Sequence, residues 1–163
     1  MSSTGIPNAQ SVGQAGNSLV MSDVSNLAGR ILLSAVFIVY GYLAFADTSG
    51  WMKSNQASLK HFFGAVAGGA EAPLWFGYFI AAIQLFGGIA ILVGFKTRWV
   101  AYAFAVYLVL VVFFAHNFWD MQGPPRGGNM AHFYKDIAIL GGFLILALQG
   151  AGRYSVDGQM ARS

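Results

Sequence analysis

Four long apolar runs, broken by short polar stretches, organise this chain. Leu27 to Ala46 is apolar for 20 residues apart from Arg30, enough for a helix of about 30 Å, the thickness of a bilayer core. Leu74 to Phe95 is uncharged for 22 residues, and after Lys96, Thr97 and Arg98 the run from Trp99 to Ala115 is uncharged again. So tight a connection makes those two helices antiparallel neighbours. The last run, Ile137 to Gly152, has 16 residues. That is short for a span, so its helix is expected to begin nearer Met130 or Ala131, with Lys135 and Asp136 inside its first turns. The pattern predicts an all-α fold, an integral membrane four-helix bundle of two tandem helical hairpins.

The segments around these runs divide the chain further. Residues 1–26 are rich in Ser, Gly, Asn and Gln with Asp23 as their only charge, and read as a mobile polar tail. The membrane domain is assigned to 27–157 and a short C-terminal tail to 158–163. Between the first two runs, residues 47–73 mix charges with Trp51, Phe62 and Phe63. A short interfacial helix from Ser54 to Val66, ended by Gly68 and Gly69, fits them. Ala44, Phe45 and Ala46 also resemble a signal-peptidase site. The uncharged tail and the length of the run that precedes it argue for a span instead.

Composition agrees with lipid as the solvent: of 163 residues 56% are hydrophobic and only 9% charged, against about a quarter charged in a typical soluble domain. Trp51, Trp75, Trp99 and Trp119 each fall near a predicted helix end, the aromatic-belt pattern of a membrane interface. The net charge of +3 comes from basic residues at the ends of apolar runs, which excludes nucleic acid as a partner. With no cysteine, disulfides, thiol redox chemistry, iron–sulfur ligation and Cys-based zinc sites are excluded. Arg30, Lys96, Arg98, Arg153 and Arg162 fall on one side of the membrane, and Lys53, Lys60, Arg126 and Lys135 on the other. The first set flanks short connections and termini, so both termini are predicted to be cytoplasmic.

Small residues at Ala81, Gly87, Gly88, Ala90 and Gly94, and at Ala138, Gly141 and Gly142, suit close approach of helix backbones. The pairs Gly87-Gly88 and Gly141-Gly142 also align the second span with the fourth as a faint internal repeat.

Candidate chemistry gathers in HNFWDMQGPPRGGNMAHFYKD, residues 116–136, which holds two of the three histidines. His116 and Asp120, and again His132 and Asp136, stand four residues apart, a spacing that shares one helix face. Three readings compete: four N and O metal ligands; a proton-exchanging mouth that includes Lys135; and plain ion pairing at helix ends. The pairing of Lys135 with Asp120 or Asp136 is the reading expected to hold, and no metal site is assigned. Arg30, one turn inside its span, is expected to snorkel to the interface, the alternative being an inward-facing partner for a quinone carbonyl or an anionic ligand. Gln84 is mid-span and should hydrogen-bond a neighbouring helix. Phosphate loops, nucleophile elbows and dinucleotide fingerprints do not occur, and haem is disfavoured because the histidines sit at span ends. No nucleotide, haem or iron–sulfur cofactor is therefore expected.

The segments GRILLSAVFIVYGYLAF, QLFGGIAILVGFKTR and KDIAILGGFLILALQGAGRYSVD resemble the DoxX family of small bacterial membrane proteins, from about Leu27 to Asp157. GAGRYSVD and the GG-apolar-G-x-x-TR pattern are the most specific parts. At the head of the second motif the family commonly carries Glu, and here Gln84 stands instead, so no titrating carboxylate occupies that place. The resemblance implies a four-helix protein of the bacterial inner membrane and a role as a quinone-associated or anchoring subunit of an oxidoreductase complex. A bound quinone, a soluble redox protein or a second copy of the chain would be its partners beside lipid. A small-solute carrier or channel gated by the 116–136 loop, or a scaffold without chemistry of its own, are the alternatives.

Overall fold

A computed structural model describes residues 9–163, and in these helix dominates and no strand occurs. Helix α1 runs Ala9–Ala46, α2 Thr48–Ser54, α3 Gln56–Val66, α4 Leu74–Val93, α5 Thr97–Phe114, α6 Pro124–Gln149 and α7 Val156–Met160, with a single 3-10 turn at Phe118–Asp120. Four of them are long and apolar enough to cross a membrane: Val20–Ala46 within α1, Leu74–Val93, Thr97–Asp120 and Pro124–Gln149. At most 28% of the most apolar stretch of each is buried, so most of their apolar side chains face outward, as lipid requires.

The bundle is two hairpins. α1 lies along α4 and α5 along α6, while α4 touches α5 at few points. The first hairpin is close because Gly41 meets the α4 backbone: a Cβ there would stand 2.5 Å from the Leu85 nitrogen. Gly88 answers from α4, where a Cβ would fall 3.1 Å from the Ile38 nitrogen. The hairpins join through aromatic rings, with Phe37 of α1 4.4 Å from Phe104 of α5 and 5.4 Å from Phe143 of α6, centre to centre. Ile91, Leu108 and Leu146 complete that core.

The ends of the helices follow local chemistry. Gly94 and Gly150 close α4 and α6 with φ of 73° and 81°, backbone that a side chain resists. Lys96 also has positive φ, at 46°, and is held there by Asp157, whose two carboxylate oxygens accept from the Lys96 and Thr97 amides at 2.8 Å each. A carboxylate thus caps α5 from the far end of the chain.

Three boundaries differ from expectation. Helix α1 continues through residues 9–26 of the stretch 1–26 read as a polar tail; residues 1–8 of it lie outside the described residues. Asp23 and Asn26 bond the C-terminal segment: Asn26 Nδ2 donates to Gly150 O at 2.8 Å, and Arg153 N donates to Asp23 Oδ1 at 3.0 Å. Helix α7 crosses the boundary drawn at residue 157. Helix α6 starts at Pro124 rather than near Met130, because Pro124 and Pro125 fill its first two positions, where the missing N–H costs nothing. Lys135 and Asp136 therefore stand about three turns into the helix and not in its first turns. The expected interfacial helix is present as α3, and Gly68 and Gly69 follow it with positive φ.

Candidate functional site

At the end of the bundle opposite Arg30, α6 carries Asp136 alongside the C-terminus of α5. Its carboxylate is 7% exposed, faced by His116 Nε2 at 3.3 Å and by Lys135 Nζ at 3.7 Å. A carboxylate this enclosed needs such partners to remain charged. His116 Nδ1 stands 3.2 Å from Asn129 Oδ1. The Asn129 amide is oriented by its own nitrogen, which donates to Pro125 O at 3.1 Å. Both His116 nitrogens thus meet acceptors, an arrangement that a doubly protonated imidazole satisfies.

His132 is in the opposite condition. Lys135 Nζ, which can only donate, lies 2.9 Å from its Nδ1, so that nitrogen accepts and the remaining proton sits on Nε2. The two imidazoles stack with centres 5.2 Å apart and planes 17° from parallel. One ring faces the buried carboxylate and the other is exposed. Together they can pass a proton between the aqueous boundary and Asp136.

The predicted residues are not all brought together. His116, His132, Lys135 and Asp136 form one cluster. Asp120 is exposed and turns away, its Oδ2 accepting from Asn117 Nδ2 at 3.2 Å. Lys135 pairs with Asp136 and not with Asp120. Among the described residues no three His, Asp or Glu side chains converge as a metal-binding group.

Gln84 is 8% exposed and donates to the Tyr107 hydroxyl at 2.6 Å, the interhelical bond expected of a mid-span amide. Arg30 overturns its expectation. It does not snorkel: it is 0% exposed, and its guanidinium donates to the carbonyls of Leu92 at 2.9 Å, Ile91 at 3.5 Å and Tyr154. The reason is that α4 ends beside it with the Leu92 carbonyl left over by the Gly94 cap, so the charge is worth more inward than outward. Burial alone would raise the Asp157 pKa. The amide donors of Thr97 and Lys96, with the charge of Arg30, outweigh it and hold the carboxyl below its ordinary value.

Sequence reasoning missed Asn129, Tyr107 and α3's contacts. Asn129 stands three residues before His132, on the same helix face. Tyr107 is a hydroxyl in an apolar run, which must find a partner. Ser58 Oγ donates to Ala115 O at 3.3 Å, and His61 Nδ1 stands 3.1 Å from Phe114 O. Both tie α3 to the last turn of α5, where carbonyls lack partners, but nothing in their local pattern marks that contact.

Four apolar spans with an ionised cluster let into one end define a small polytopic membrane protein with a polar site at the mouth of its bundle. The chain belongs to the DoxX family, whose model matches residues 25–117. The model of the SURF4 family also matches, over 75–162. Among curated proteins the chain is 33% identical to inner membrane protein YphA of Escherichia coli over 80% of its own length and 86% of that protein's. It is 35% identical to inner membrane protein YqjF of the same organism over 84% and 92%. A third relative, from Bacillus subtilis, bears the name "Putative oxidoreductase CatD" and is 30% identical over 53% of this chain and 56% of its own. No solved structure matches it.

Proposed function

We propose that this DoxX-family protein is a quinone-associated or anchoring membrane subunit of an oxidoreductase complex, with the Asp136 cluster as its proton-exchanging mouth. The observation that carries the reading is the enclosed Asp136 carboxylate between two donors, His116 and Lys135, at the edge of an apolar bundle. The name of CatD supports the redox class.

The donor set suits a quinone, whose carbonyl oxygens accept hydrogen bonds: His116 and Lys135 would hold it. A quinone, when bound, supplies two-electron chemistry coupled to two protons. His116 holds a proton at Nε2 against Asp136, and once that proton passes to the quinone the neutral ring keeps its Nδ1 proton, which Asn129 Oδ1 orients. His132 takes a replacement proton at Nδ1 from water once Lys135 swings off it, because that nitrogen carries a free lone pair. Asp136 keeps the positive charge at the mouth and not in the lipid.

Both termini belong on the cytoplasmic side in this reading. What supports that is the gathering of Arg30, Lys96, Arg98 and Arg153 at one end, next to short connections.

Purification in mild detergent, followed by native mass spectrometry and lipid extraction, tests the function. Co-purifying quinone or a redox enzyme is expected, and H116A and D136N should lose the quinone. A chain that emerges alone and quinone-free, yet makes liposomes permeable, would replace this reading with a solute carrier.

A further inference from the structure

The Arg30 end carries a second site that owes nothing to the Asp136 cluster. Lys96, Arg98, Gly150, Gly152 and Asp157 surround a recess of about 450 Å³. Beside it an apolar groove of about 500 Å³ runs between α4 and α5, lined by Phe79, Ile83, Phe86, Gly87 and Ala103. Lys96 and Trp99 belong to both, so the recess opens directly into the groove.

The groove exists because α4 and α5 come from different hairpins and touch at few points. On α4 its lining runs from Phe79 to Gly87, roughly 12 Å of helix, close to the depth of one leaflet of a core about 30 Å thick. The recess has a definite charge. Among the described residues neither Lys96 nor Arg98 pairs with a carboxylate side chain, while both oxygens of Asp157 are engaged by the Lys96 and Thr97 amides. The Arg98 guanidinium is laid over Gly150, its Nε 3.2 Å from where a Cβ would stand, so any larger residue at 150 would displace it. Two cations without a carboxylate partner, against the single Asp157, thus stand at the mouth of an apolar slot.

We propose that this is a binding site for an anionic phospholipid, its phosphate on Lys96 and Arg98 and one acyl chain in the α4–α5 groove. A zwitterionic lipid would bring its ammonium group against the same two cations and is disfavoured. Trp99 stands where headgroup meets chain, the position that an amphipathic indole prefers. Filling the groove joins the two hairpins along the seam where their own side chains leave a gap.

The test uses the full chain, delipidated in mild detergent and offered phosphatidylglycerol or phosphatidylcholine, with native mass spectrometry counting what stays bound. One phosphatidylglycerol should be retained roughly 25-fold better than phosphatidylcholine, since each of the two basic residues at an anionic headgroup contributes about fivefold. The K96Q/R98Q double variant should lose the preference, and R126Q, at the other end, should keep it. A103F, which fills the groove and leaves both cations, should also lose the retained lipid. Circular dichroism checks that each variant is folded, and R98Q alone carries the test if the double variant is not. Retention of the preference by K96Q/R98Q, or by R98Q in its place, overturns the site, as does retention of the lipid by A103F. Displacement of phosphatidylglycerol by glycerol phosphate added in solution would overturn the lipid as occupant in favour of a soluble phosphate.

Discussion

Arg30 satisfies three main-chain carbonyls at once, those of Ile91, Leu92 and Tyr154, and only a planar fork of donors can do so. R30M would leave the Leu92 and Tyr154 oxygens without that donor in a dry setting, while Ile91 keeps the Gly94 amide, at a cost of about 3 kcal/mol. R30K should rescue little of it, because an ammonium group cannot spread over acceptors from two elements. Thermal unfolding in detergent measures both, and a wild-type melting temperature for R30K would show that charge alone suffices there. Gln84 and Tyr107 are a smaller case. A double-mutant cycle with Q84L and Y107F should give a coupling of about 0.6 to 1.7 kcal/mol, the range of interhelical polar pairs in membranes. These two residues also mark what could be read in advance. A mid-span amide has one fate, a bond to another helix, so Gln84 was legible. Arg30 had two, and the choice was made by Tyr154, 124 residues away, whose carbonyl no local pattern announces.

Among the elements, glycines that look alike in sequence separate by what they face. Gly41 on α1 would drive a Cβ into the Leu85 backbone, whereas at Gly141 on α6 nothing lies within 4 Å. G41A should therefore destabilise by about 1–3 kcal/mol, the usual cost of overpacking, and G141A should be neutral or stabilise by up to about 1 kcal/mol through helix propensity. Denaturant titration of both decides the point, and equal effects would mean that the α1–α4 crossing is looser than described. The expectation that Gly141 serves packing fails here, while Gly88 and Gly142 do face α1. The periodicity showed which runs were helices but not which face of each meets a neighbour.

The cap on α5 adds a pH dependence. Asp157 titrates below its ordinary value when folded, so its contribution is complete above the unfolded carboxylate pKa of about 3.9 and is lost as pH falls through the lower folded value. Amides of Lys96 and Thr97 should keep their protection at neutral pH and lose it only as pH falls past the ordinary carboxylate range to the lower folded value, as read by hydrogen exchange corrected for intrinsic rate. D157A should show the unprotected rates at every pH.

For the whole molecule, the two hairpins are parallel copies of one plan, so their four ends sort onto two surfaces of opposite character. One surface holds Asp23, Arg30, Lys96, Arg98, Arg153 and Asp157, tied by main-chain bonds. The other holds Asp136, His116 and the exposed helix α3. The spans were legible because lipid demands long apolar runs, and the pairing of first with second and third with fourth followed from the faint repeat of two hairpins; the short turn at 96–98, expected to make the second and third spans neighbours, leaves α4 and α5 touching at few points. The contacts that close each end were not, since they join residues more than 50 apart through carbonyls and caps. Which surface faces the cytoplasm depends on basic residues beside short connections, five against four by count, and is open to a direct measurement. The chain contains no cysteine, so S163C and S54C each introduce a single reactive thiol at opposite ends. With an impermeant maleimide on spheroplasts, S54C should label at once and S163C only after lysis. The reverse order would turn the Asp136 cluster toward the cytoplasm, and its protons would then be drawn from that side.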